Sequence, residues 1–153
     1  MKLLEKKEIN YELVNGKINC KGDVNISSCK LTHFPIPFGV VIGAFYCYNN
    51  QLTTLEGAPE RVGGYFSCSN NQLTTLEGAP REVDGYFNCS YNQLTTLEGA
   101  PEKVGKDFDC SNNQLTTLEG APREVGGNFY CYNNPKLPKN AKLTTIVKGE
   151  IKR

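Results

Sequence analysis

The chain has 153 residues, with 17 Lys and Arg against 16 Asp and Glu and a net charge of +1. That length suits one ordinary domain, the balanced charge argues against a general nucleic-acid binder, and no stretch is apolar enough to span a bilayer. Seven cysteines would suit a secreted disulfide scaffold, but residues 1–7 contain no apolar signal core, so a reducing cytoplasm is the expected location.

Taken in chain order, the first predicted element is a β-hairpin. Residues 11–14 and 17–20 flank Asn15-Gly16, a pair in which both turn residues tolerate positive φ. Residues 1–23 are read as an N-terminal cap built on this hairpin. A first, degenerate turn follows, with Val24, Ile26, Leu31, Phe34 and Val41 standing where later turns have Phe, Cys, Leu, Leu and Val.

The regular turns are unmistakable, because Cys47, Cys68, Cys89, Cys110 and Cys131 are each 21 residues apart. Phe45, Phe66, Phe87, Phe108 and Phe129 keep the same step, as do Asn50, Asn71, Asn92, Asn113 and Asn134, and Gln-Leu-Thr-Thr-Leu-Glu-Gly-Ala-Pro recurs from Gln51, Gln72, Gln93 and Gln114. Within a turn, Phe66 and Cys68 alternate with polar residues and predict a short strand with its apolar face inward. Leu73 and Leu76 then enter the core, Gly78 allows a tight bend, and Pro80 suits the start of a single short helical turn ending near Val83. The sixth turn begins at Phe129 and drifts after Asn134, where Pro135 replaces Gln and Leu137 falls one place late. Residues 143–147 with Gly149 and Ile151 predict a covering strand in a C-terminal cap over 135–153. The resulting division is a single domain, 1–153, with six repeats over 24–134. Charge is uneven along it: residues 45–134 hold eleven Asp and Glu against five Lys and Arg, while 135–153 hold six Lys and Arg against Glu150 alone. Lysines at that tip are expected to discourage end-to-end association; a nucleic-acid contact there is the rival reading.

The repeat resembles the leucine-rich-repeat pattern L-x-x-L-x-L-x-x-(N/C)-x-L, with Phe66, Cys68, Asn71 and Leu73 in its last four fixed places and Cys29 in the asparagine place of the first turn. Val62 stands one residue earlier than the leading leucine. Asn-Asn-Gln-Leu-Thr-Thr-Leu-Glu-Gly-Ala-Pro followed by Val-Gly-Gly is similar to the short leucine-rich-repeat proteins encoded by bacteriophages. The resemblance implies a right-handed, mainly β solenoid of six 21-residue turns, with a parallel sheet on its concave face, short 3-10 or irregular convex segments and a cap at each end. It also implies a binding role inside a bacterium and no chemistry of its own.

In-register stacking turns each recurring residue into a column, with neighbours about 4.8 Å apart. That is wider than the roughly 3.5–4.5 Å between Cβ atoms that a disulfide needs, so the cysteine column is expected to be five free, buried thiols. No C-x-x-C pair is present for a metal, His33 is the only histidine and is expected at the surface, and no nucleophile has a base beside it. No catalytic residue, metal or cofactor is therefore expected. Asp107 and Asp109 leave one strand on the same side and are weighed as a cation site or as paired carboxylates against a solvated pair. The buried asparagine amides are expected to satisfy the backbone of the turn.

Three columns should face outward from the phenylalanine strands: Ala44, Tyr65, Tyr86, Asp107, Asn128; Tyr46, Ser67, Asn88, Asp109, Tyr130; and Tyr48, Ser69, Ser90, Ser111, Tyr132, with Tyr91 just beyond. Tyrosine with serine and asparagine is the chemistry of paratopes. The expected binding residues are Tyr46, Tyr48, Tyr65, Tyr86, Asn88, Tyr91, Asp107, Asp109, Tyr130 and Tyr132. The leading expectation is a protein partner, a bacterial host defence or regulatory protein as the resemblance implies, with no membrane, nucleic acid or self-association. The alternatives are a small-ligand or nucleotide sequestering protein, whose tyrosines would stack bases, and a self-assembling virion part.

Overall fold

A computed structural model describes residues 4–5 and 9–153. Each regular turn carries two strands of two residues. The first holds the recurrent valine (Arg61–Val62, Glu82–Val83, Lys103–Val104, Glu124–Val125) and the second the recurrent phenylalanine (Phe66–Ser67, Phe87–Asn88, Phe108–Asp109, Phe129–Tyr130). Successive copies pair parallel and in register, Val62 with Val83 and Phe66 with Phe87. The valine strands form an eight-stranded sheet and the phenylalanine strands a seven-stranded one. The chain is thus a mainly β parallel solenoid of about six turns.

The core lies between the sheets and the leucine segments, built from five kinds of column. Phe66, Cys68, Leu73, Leu76 and Val62 are all fully buried, and so are their equivalents in the next turn, except for a trace of exposure at Val83. The phenyl rings stack with centroids 5.1–5.6 Å apart from Phe45 to Phe129. At the N-terminal end that stack stops against Phe34 and Phe38, which meet Phe45 edge-on at 5.8 and 4.9 Å. All seven cysteines are free, and the five of the column are buried.

The asparagine column holds the strand exits. Asn71 Nδ2 donates to the carbonyls of Cys47 and Cys68 (3.1 and 3.0 Å), and its Oδ1 accepts from the Leu52 N–H at 2.9 Å. Asn92 repeats this on Cys68, Cys89 and Leu73. One amide thereby ties two turns together and satisfies backbone groups that burial would otherwise leave unpaired.

The short helical turn expected between Pro80 and Val83 is absent. Gly78 makes the bend at φ +86°, where an added Cβ would lie 2.6 Å from the Leu55 carbonyl carbon, and the chain passes directly into the strand Glu82–Val83. Peptide groups in this segment bond to the preceding turn, Arg81 N–H to Glu60 O and Asp84 N–H to Val62 O. Inter-turn pairing replaces the hydrogen bonds a helix would make internally, so the return side is a second sheet and not a row of 3-10 segments.

The hairpin forms as expected, Glu12–Val14 antiparallel to Lys17–Cys20 across Asn15 (φ 51°) and Gly16 (φ 75°). Its second strand pairs with Phe38–Val41 and adds Ile18 and Cys20 to the core, while the first strand is exposed. At the other end the single covering strand is replaced by two, Ile146–Val147 and Ile151–Lys152, which extend both sheets. Their partners lie 22 residues earlier, Glu124 and Phe129. The one-residue delay at Leu137 is an insertion carried forward, and the tail is one more rung of the solenoid.

Candidate functional site

Side chains on a strand alternate between faces, so with Phe and Cys turned inward the flanking residues of the seven-stranded sheet turn out. Tyr48, Tyr86, Tyr91 and Tyr132 are exposed, and Tyr46, Tyr65 and Tyr130 are half-buried. The half-buried rings lean on their neighbours: Tyr46 and Tyr65 lie 5.8 Å apart, Tyr65 and Tyr86 stack at 5.3 Å, and Tyr130 meets Tyr132 edge-on at 6.4 Å. Burial and the negative charge of Asp23 push the Tyr46 phenol above its ordinary pKa.

The outward columns are less open than their alternation implies. Ala44, Ser67, Ser90 and Ser111 are buried, and the three serine hydroxyls bond within the face. Ser90 Oγ donates to Asn88 Oδ1 at 2.7 Å, and the Ser111 hydroxyl donates to Asp109 Oδ1. Asn88 Oδ1 also accepts from the Ser90 N–H at 3.0 Å and Asp109 Oδ1 from the Ser111 N–H at 2.9 Å. Asp107 Oδ1 accepts the Asn128 N–H of the next turn at 2.7 Å. Asn88, Asp107 and Asp109 therefore each have a structural task as well as a place on the face.

Tyr65, Tyr86, Asn88, Asp107, Asp109 and Tyr130 are brought together around one shallow groove of about 240 Å³. Tyr46 and Tyr48 lie toward the N-terminal end of the same face and Tyr132 beside Tyr130, so nine of the ten expected residues lie along one face.

Tyr91 departs from its column. It has φ 54°, and the equivalent left-handed positions are held by Ser28, Asn49, Asn70, Asn112 and Asn133. Asparagine tolerates this conformation, whereas a bulky side chain is strained there. The asparagines also form an exposed ladder, Asn70 Nδ2 to Asn49 Oδ1 and Asn133 Nδ2 to Asn112 Oδ1, both at 3.0 Å. Tyr91 interrupts it and is 62% exposed.

Burial pushes the thiols of Cys47, Cys68, Cys89 and Cys110 well above the ordinary value. Among the described residues no group of three or more His, Cys, Asp or Glu is placed to hold a metal ion, and no helix is long and apolar enough to cross a membrane. Comparison with family models, curated proteins and solved structures finds no match to this chain.

Proposed function

We propose that this chain is a non-enzymatic binding protein that holds a protein partner on the outer face of its seven-stranded sheet. The observation that carries this reading is Tyr91: an aromatic ring kept exposed at a strained position, in place of an asparagine that would continue the ladder, is a cost the fold alone does not explain. The surrounding rings suit the role, since tyrosines propped against one another present contact area with little side-chain entropy left to lose.

The resemblance to bacteriophage leucine-rich-repeat proteins supplies the setting: a host bacterial cytoplasm and a host defence or regulatory protein as the target. In this reading the hairpin and the extra C-terminal rung serve as end pieces for a leucine-rich-repeat solenoid.

The test is affinity capture from bacterial lysate with the wild-type chain and with Tyr46→Ser/Tyr65→Ser/Tyr86→Ser. A partner held by the wild type and lost by the variant, with the variant still folded by circular dichroism, supports the reading. Equal capture by both chains assigns the tyrosines to the sheet alone.

A further inference from the structure

The groove at the middle of this face has an unusual composition, two carboxylates between aromatic rings. The turn bearing Asp107 and Asp109 lies between the turn bearing Tyr86 and the turn bearing Tyr130, and Tyr65 backs Tyr86 at 5.3 Å. Each aspartate gives only its Oδ1 to the fold, Asp107 to the Asn128 N–H and Asp109 to Ser111. Neither Oδ2 has a protein hydrogen-bond partner among the described residues, and neither aspartate forms an ion pair there.

The negative charge is not needed for these structural bonds. In the first column Asn128 Oδ1 accepts the Glu150 N–H at 2.8 Å, and in the second Asn88 Oδ1 makes the same pair of bonds to Ser90 that Asp109 makes to Ser111. An amide performs both tasks elsewhere in this chain. Two carboxylates two residues apart on one strand also face the same way and repel each other. Asparagine at 107 and 109 would serve the fold as well without that repulsion.

We infer that this groove receives an arginine side chain of the partner. Its guanidinium matches the groove in three respects: it is cationic, it lies flat against tyrosine faces, and its fork of N–H donors reaches two carboxylate oxygens. This rests on the protein-binding reading above and names the partner's chemistry at its centre.

The test uses the full chain and three tripeptides, acetyl-Gly-Arg-Gly-amide and the same peptide with neutral citrulline or with lysine, followed by NMR of the tyrosine rings. The arginine peptide should shift Tyr86 and Tyr130 saturably and bind at least about fivefold tighter than the citrulline peptide, the range of one cation–π contact reinforced by charge. Asp107→Asn/Asp109→Asn should lose that advantage while melting no lower than the wild type. Equal shifts from the arginine and citrulline peptides, or undiminished arginine binding by the double variant, would overturn the proposal; the lysine peptide binding as tightly as arginine would overturn the choice of guanidinium. The capture experiment fails separately. Loss of capture without an arginine response removes only the cation, and an arginine response with unchanged capture moves the protein partner off this face and leaves a small-cation site.

Discussion

Tyr91 and the cysteine column are the two places where single residues predict a measurable departure. Tyr91→Asn places a residue that tolerates φ near 54° and restores donors and acceptors to the ladder between Asn70 and Asn112. Relief of strain of this kind is worth about 1 kcal/mol, so the variant should unfold at higher denaturant while capturing less partner. A variant no more stable than the wild type would remove the argument that position 91 is held against the fold's own preference. Tyr91 was legible in the sequence as an aromatic at the border of the face, but its strain was not, because the conformation of that position shows only in the backbone. The thiols predict a pH effect. Their folded pKa values are raised above an ordinary 9.0, so the folded chain keeps protons that the unfolded chain releases. Stability is whole below pH 9 and falls as pH rises above it, by about 1.4 kcal/mol per pH unit for each thiol that ionises only on unfolding. Urea titrations at pH 7 and pH 10 should show the loss, and Cys68→Ala should shrink it relative to the wild type; an identical pH slope in the two chains would contradict a protonated, buried Cys68.

At the scale of elements, the period made the phenylalanine strand and its inward face readable, but the valine strand was missed. Two residues are too few for an alternating pattern, and the segment from Pro80 to Val83 reads as a single short helical turn. A signal was nevertheless present in the column Arg61, Glu82, Lys103, Glu124, whose charges alternate from turn to turn. Within the column Arg61 reaches Glu82 at 3.8 Å. Opposite charges repeated across neighbours are a cross-strand pairing pattern, even though each exposed pair adds little stability. The same reasoning bears on the hairpin, which was legible from Asn15-Gly16 because turn chemistry is local. Its second strand contributes Ile18 and Cys20, both about 2% exposed, against Phe38 and Val41. Removing residues 1–23 takes Ile18 and Cys20 away and should bare Phe38 and Val41 together with the edge of their strand. The truncated chain should melt lower and self-associate, read by sedimentation velocity; a monomer with unchanged melting would show that the hairpin covers nothing essential.

For the whole molecule, each turn touches only the turns before and after it, so stability should add along the axis as it does in a one-dimensional lattice. The regular turns are close to interchangeable: the Phe, Cys, Asn, Leu and Val columns continue across any of them, and the phenyl stack varies only between 5.1 and 5.6 Å. Deleting residues 66–86 joins Tyr65 to Phe87 with every column in register. The shortened chain should fold, and its urea m-value should drop by roughly one-seventh, because m follows the surface exposed on unfolding. The deletion also separates the site from the scaffold. Tyr65 then occupies the place of Tyr86 beside Asp107, so the arginine response should survive the loss of a whole turn. Deleting residues 87–107 instead joins Tyr86 to Phe108, sets a phenol where Asp107 stood and should abolish the response at a similar cost in stability. If both deletions bind the arginine peptide equally, recognition does not lie in the groove; if neither chain folds, the turns are not independent units and the additive picture of the solenoid fails.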